Sequence, residues 1–123
     1  MLLLLFGSGL PLKVNPSYLY TGQKLLPPKR DTDRVCITVD FKDTLAQGET
    51  ITSAEWMVEK SGQPGVNLTE MVYSISVIDG TKVLQMIEGG ESGASYEPYC
   101  IAFTSSFQKL SLPEPGRGIL KVR

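Results

Sequence analysis

The sequence contains no histidine. That absence removes the side chain that most often acts as a general base near neutral pH and that most often ligates metals. Only two cysteines occur, Cys36 and Cys100, with no Cys-x-x-Cys spacing, so the chain carries no four-thiolate zinc pattern. No apolar run approaches the roughly 20 residues that a membrane-spanning helix needs. Excess charge is missing as well. Twelve basic residues face thirteen acidic ones, a formal net charge of −1, which offers no broad attraction to nucleic-acid phosphates or an anionic bilayer. No glycine-rich loop ends in Gly-Lys-Ser/Thr, and Glu88-Gly89-Gly90 lies between strand-like segments instead of opening a helix. Neither nucleic acid nor membrane is expected as a partner, and no metal or cofactor is expected.

Carboxylates are the remaining source of chemistry. Asp31 with Asp33, Asp40 with Asp43, and Glu88 with Glu91 have the proximity that glycoside hydrolysis or calcium binding uses, but none is supported by further ligands or a base. They read as solvated loop ends, so no catalytic residue is assigned and no enzyme is expected. Asn67-Leu68-Thr69 matches a glycosylation sequon. Without a secretory signal the match carries no weight.

What the chain does hold is 41% hydrophobic residues, twelve glycines and eight prolines in 123 residues, the composition of one core interrupted by many turns. The opening Leu2, Leu3, Leu4, Leu5 and Phe6 have no basic residue before them and stop at Gly7, too short for the apolar core of a secretory signal. They read as an apolar β-strand that something must cover, in a protein expected to be soluble and unexported. Residues 7–33 carry Pro11, Pro16, Pro27 and Pro28 without a period of 2 or 3.6, which predicts extended, irregular chain. Tyr18, Tyr20, Leu25 and Leu26 make this arm too apolar for a solvated tether. Two destinations stand equally open for it, a neighbouring subunit or the chain's own domain. The partner-binding candidates are accordingly Leu2 to Phe6, Tyr18, Tyr20, Leu25 and Leu26.

From Val35 the pattern turns to period 2. Val35, Ile37, Val39 and Phe41 alternate with Cys36, Thr38 and Asp40, which predicts a half-buried strand. A second strand is predicted over 50–58 with Ala54, Trp56 and Val58 on one face, and Trp56 as a core anchor. Segments 72–78 and 81–87 form a predicted hairpin across Asp79-Gly80, a pair suited to a tight primed turn. In 95–104 both Cys100 with Ala102 and Tyr99 with Ile101 and Phe103 are apolar, so that strand is expected to be covered on both sides. Segments 107–112 and 119–122 complete the set around a Pro- and Gly-rich break. No helical period is found. The fold predicted is an all-β, immunoglobulin-like antiparallel β-sandwich over 34–123 with an extended N-terminal arm over 1–33 that contains a short strand at 2–6. Cys36 and Cys100 flank Trp56 as cysteines do in immunoglobulin domains, but Pro98 stands where the tyrosine corner belongs. Two buried thiols acting as small apolar residues are the preferred reading.

Several marks in combination resemble the small adaptor proteins that join tail fibres to the tails of bacteriophages. They are Asp31-Thr32-Asp33-Arg34-Val35, the stretch from Leu45-Ala46-Gln47-Gly48-Glu49 through Trp56-Met57-Val58, Glu88-Gly89-Gly90 to Gly93, Tyr96 with Tyr99-Cys100, and the closing Ile119-Leu120-Lys121-Val122-Arg123. The resemblance covers about residues 30 to 123. It departs at residues 60–71, which are longer and more polar, and at Pro98. It implies an immunoglobulin-like sandwich, a structural role in the virion, a place in the tail region after assembly in the reducing host cytoplasm, and no catalysis. The implied partners are phage tail, connector or fibre proteins and further copies of the chain in a symmetric assembly. A head-decoration or head-completion protein is the alternative of the same class. A carbohydrate-binding module using Tyr73, Tyr96, Tyr99 or Trp56 is the alternative of another class.

Overall fold

A computed structural model describes residues 17–123. Eight strands form two sheets: β1 (Ser17–Leu19), β2 (Arg34–Asp40), β3 (Ile51–Lys60), β4 (Val72–Asp79), β5 (Lys82–Glu88), β6 (Ser95–Thr104), β7 (Lys109–Leu112) and β8 (Leu120–Lys121), with one 3-10 turn at Thr69–Met71. One sheet has the order β1-β2-β5-β4 and the other β3-β6-β7, with β8 beside β7 on the same flank of β6. With β8 set aside, this is the strand order of an immunoglobulin-type sandwich, four strands against three. All pairings between these strands are antiparallel except that of β1 with β2, which is parallel.

Alternation explains the core. Ile37 and Val39 of β2, Val83 and Ile87 of β5, and Trp56, Val58, Tyr96, Cys100 and Ala102 of the facing sheet are buried together. Trp56 stands opposite Cys100 in the β3–β6 register, as expected of a core anchor. The strand expected to be half-buried is covered on both faces, since Cys36 and Thr38 are nearly as buried as Ile37. The reason is position: β2 is an inner strand, flanked by β1 and β5. Ile37 faces the other sheet, so Cys36, one residue away, points to the opposite side and no bridge to Cys100 spans the core. Burial, followed by the charge of Glu55, pushes the Cys100 thiol up to about 12, which keeps it protonated and unreactive.

Ser17 to Leu19 pair with β2, so the stretch from there to Asp33 is not a separate arm. After β1 the chain turns and runs parallel to the C-terminal segment, with bridges Leu25 to Ile119 and Lys29 to Val122. Leu26 N–H donates to Ile119 O at 2.9 Å and Arg123 N–H to Lys29 O at 2.8 Å. Tyr18, Tyr20 and Leu26 enter the common core. The Tyr20 hydroxyl donates to Glu114, and burial with that contact raises its pKa to about 12.

Two irregularities in the sequence find physical reasons. Pro98 lies in an inner strand, which a missing N–H would normally weaken. Val58, its partner on β3, turns its own N–H and C=O outward to Asn67 and Leu68, so Pro98 N faces the other flank. There the Leu112–Pro113 break separates β7, which pairs from Cys100 onward, from β8, which pairs only through Tyr96. The long polar segment after Lys60 folds back along β3: Asn67 Oδ1 accepts Val58 N–H at 3.1 Å and Leu68 N–H donates to Val58 O at 2.7 Å. It covers an open sheet edge. The β4–β5 hairpin is displaced by one residue from expectation. Asp79 pairs with Lys82, so the loop is Gly80-Thr81, and Gly80 at φ +64° supplies the left-handed first position of a primed turn.

Lys29 is 1% exposed, and its Nζ donates to Arg30 O at 2.8 Å, Asp33 O at 3.0 Å and Gly89 O at 2.6 Å. A methionine at this site fills similar volume but leaves three carbonyls without their donor. Lys29→Met is expected to cost about 2–4 kcal/mol in urea unfolding, with faster hydrogen exchange over residues 25–29. Unchanged stability would mean that the three contacts contribute nothing.

Candidate docking surfaces

Four of the six acids flagged in the sequence, Asp33, Asp40, Glu88 and Glu91, hold structural contacts. Asp33 Oδ2 accepts Arg30 N–H at 3.0 Å in the turn before β2. Asp40 Oδ1 accepts the Thr81 hydroxyl at 2.7 Å and Lys42 N–H at 3.0 Å. Burial works to raise the Asp40 pKa, but these bonds and the nearby lysines together hold it below the usual carboxylate value. Glu88 pairs with Arg34 at 2.9 Å and Glu91 with Lys60 at 2.6 Å. Among the described residues no group of three His, Cys, Asp or Glu is placed to hold a metal ion, and no helix is long and apolar enough to cross a membrane. A shallow depression of about 420 Å³ opens beside the Lys60–Glu91 pair, floored by Met71, Tyr96 and Gly90. Gly90 is required there. Its φ is +93°, and a Cβ would lie 2.9 Å from Val122 Cγ2.

The aromatic residues do not line up for sugar binding. Trp56 and Tyr96 are buried, and Arg34 stacks over the Tyr73 ring at 3.6 Å from its centroid. Tyr99 is half-buried beside Glu59, to which its hydroxyl donates at 3.4 Å.

Of the partner-binding candidates, Leu2, Leu3, Leu4, Leu5 and Phe6 lie outside the described residues. Tyr18, Tyr20 and Leu26 are buried in the chain's own core, which is the second of the two destinations left open by the sequence. Leu25 is 48% exposed. The structure adds candidates that sequence reasoning missed. The outer face of the β1-β2-β5-β4 sheet carries Leu19, Tyr73 and Val77, all exposed, with half-buried Leu84 and Met86 between them. The two-sided apolar pattern of 72–78 was the available signal. On the other sheet, Tyr99, Ile101 and Phe103 are half-buried, with Lys109 Nζ 5.6 Å from the Phe103 ring centroid.

The β4 edge is irregular by construction. Between the pairs Tyr73–Met86 and Val77–Leu84, β4 advances four residues while β5 advances two, so Ser74 to Ser76 bulge outward. Ser74 has φ +69° and Ile75 at the apex is 84% exposed. Buried Gln85 holds the bulge. Its amide donates to Tyr73 O at 2.7 Å and Ser74 O at 3.1 Å, and its oxygen accepts the Ser76 hydroxyl at 2.8 Å.

The most exposed large apolar residue among those described stands at one end of the sandwich. Strands β2 and β6 both finish at this pole, where the 41–50 loop and the β6–β7 turn meet: Ser105 N–H donates to Thr50 O at 2.8 Å, and the Thr104 hydroxyl donates to Glu49 Oε2. Phe107 projects there. The opposite pole carries Asp33, Gly89 and Ser61. Because β1 is parallel to β2, the chain enters β1 from that opposite pole.

The geometry defines a structural β-sandwich whose irregular features present apolar side chains, the class of a docking module. A family model described as podophage GP4 fiber-tail adaptor protein gp77 matches residues 29–111, and the chain belongs to that family. The match spans β2 through β7 and leaves β1 and β8 outside. No curated protein matches the sequence.

Two measurements follow from these surfaces. Gln85→Leu removes the donors to two bulge carbonyls and is expected to cost about 2–3 kcal/mol in urea unfolding; an unchanged midpoint would show that the bulge holds without it. The hydroxyl of Thr104, then Ala46 N–H, depress the Glu49 pKa below its ordinary 4.5. A depressed carboxyl stabilises the fold fully above 4.5 and loses that contribution as pH falls through the lower folded value. Glu49→Gln should therefore flatten the fall of the urea midpoint as the pH drops below 4.5. An equally steep fall in the variant would assign the acid sensitivity to other groups.

Proposed function

We propose that this chain is a non-catalytic component of a podophage tail that joins tail or connector subunits to the fibre, in several symmetric copies assembled in the host cytoplasm. The observation that carries this reading is the family match across residues 29–111. The site geometry agrees with it: Asp33 and Asp40 brace turns and Glu88 and Glu91 pair with basic side chains, while apolar side chains are held outward.

Attachment to the tail proceeds by strand addition in this reading. Leu2 to Phe6 lend main-chain hydrogen bonds to the sheet edge of a neighbouring subunit, and alternate side chains set the register. Burying five such side chains contributes on the order of 7–15 kcal/mol before ordering costs. The exposed Leu25 adds to the same contact. The chain enters β1 from the pole that carries Asp33, Gly89 and Ser61, so a tail contact through residues that precede β1 starts from that end of the sandwich.

The test is quantitative mass spectrometry of purified particles. The intact chain is expected at a small multiple of the tail symmetry; hundreds of copies on the head would reassign it to decoration. Deleting residues 1–9 should release the chain from particles while the isolated domain keeps its melting temperature. Normal incorporation of the truncated chain would remove the strand-addition mechanism.

A further inference from the structure

Phe107 combines two features that each disfavour the folded state. Its side chain is 98% exposed, and its φ is +65°, a left-handed conformation that bulky residues rarely adopt. A glycine or asparagine would suit this turn better.

The backbone beneath the ring is nevertheless fastened at many points. Phe107 N–H donates to Thr104 O at 3.0 Å, and Thr104 N–H to Gln108 O at 3.0 Å. The Thr104 hydroxyl oxygen accepts Gln108 N–H at 3.1 Å and Ser106 N–H at 3.3 Å while donating to buried Glu49. Glu49 Oε1 in turn accepts Ala46 N–H at 2.9 Å, and Ser105 Oγ accepts Thr50 N–H at 2.9 Å. The turn is rigid, and its rigidity holds an aromatic ring away from the chain's own core. Its neighbours in the chain, Ser105, Ser106, Gln108 and Lys109, are all polar and exposed. An isolated aromatic on fixed backbone with a polar rim is the anatomy of a binding hot spot, in which little freedom remains to be lost on association.

We infer that Phe107 is the anchor by which the sandwich holds the fibre, its ring entering an apolar pocket on the fibre subunit. The inference rests on the adaptor reading above. The fibre is assigned over the tail because Phe107 stands at the pole opposite the one from which the chain enters β1. A polypeptide pocket is the occupant because the ring is alone: a sheet-like or sugar ligand would engage several aligned groups, and the nearest ring on β6, Phe103, is already approached by Lys109.

The experiment uses whole phage carrying Phe107→Gly or Phe107→Asn, together with the purified full-length variants. Both substitutions suit the backbone, so melting temperatures are expected to stay level or rise. Particles should keep their normal number of copies of this chain but lose about tenfold or more of their fibre and of their adsorption to host cells. A full complement of fibre in both variants would overturn the proposal. So would a marked drop in melting temperature, which would mean that the ring packs at home. Loss of this chain itself from particles, with melting unchanged, would move Phe107 to the tail interface and overturn the fibre assignment. Absence of the chain from wild-type particles would instead bring down the adaptor reading.

Discussion

A single buried ammonium closes this sandwich. Lys29 reaches three carbonyls from three places: its own turn, the start of β2 and the β5–β6 connection. Burial lowers its pKa, while Asp33, Asp31 and Glu88 favour the charged form from nearby. The backbone of the same residue donates to Lys121 and accepts from Arg123. One position therefore ties residues 25–29 to the C-terminal segment and fixes the corner from which β2 departs. The seating of Tyr18, Tyr20 and Leu26 depends on that corner, since the chain between β1 and β2 must cross from one sheet to the other to place them.

The way the sheet edges are managed follows from this closure and bears on the adaptor role. The flank formed by β7 and β8 is covered in part by residues 25–29, and β3 is covered by Asn67 and Leu68. Among the described residues the other sheet ends in the three-residue β1 and in β4, whose bulge interrupts the ladder that another chain would need for pairing. A virion protein packed at high local concentration gains from such blunted edges. Contacts at the blunted edges then rely on side chains, which specify a partner more sharply than a bare row of backbone groups does.

Much of the fold was legible because alternation is a local signal. The segments from Val35, Thr50, Val72, Thr81, Ser95, Phe107 and Ile119 all correspond to strands, and the placement of Trp56 in the core followed from its neighbours Ala54 and Val58. What escaped depends on long-range pairing. The region around Tyr18 to Lys29 has no period because its strands are short and parallel and pair with residues far along the chain, so it reads as an extended arm that could pack on its own domain or on a neighbour. Lys29 itself gave no sign of burial, standing beside Arg30 in what reads as a basic, solvated pair. The β2 strand looked half-buried because Thr38 is polar, yet an inner strand covers even polar residues. Phe107 was taken as the first residue of a strand; no sequence pattern announces a positive φ on a phenylalanine.

The two most exposed large apolar side chains share one physical device. At Ile75, buried Gln85 satisfies the carbonyls of an irregular edge; at Phe107, buried Glu49 and Thr104 fasten a left-handed turn. In both places a polar side chain is taken out of water to stabilise backbone that deviates from regular β structure, and the residue displayed by that deviation is apolar. Burial of such polar groups is tolerable only when their hydrogen bonds are satisfied, so each display site is coupled to the core beneath it. Regular strands would have been more stable and would have presented neither side chain. A protein whose function is to be held by its neighbours uses part of its folding stability to keep these contacts prepared, and the preparation reduces what binding must later order.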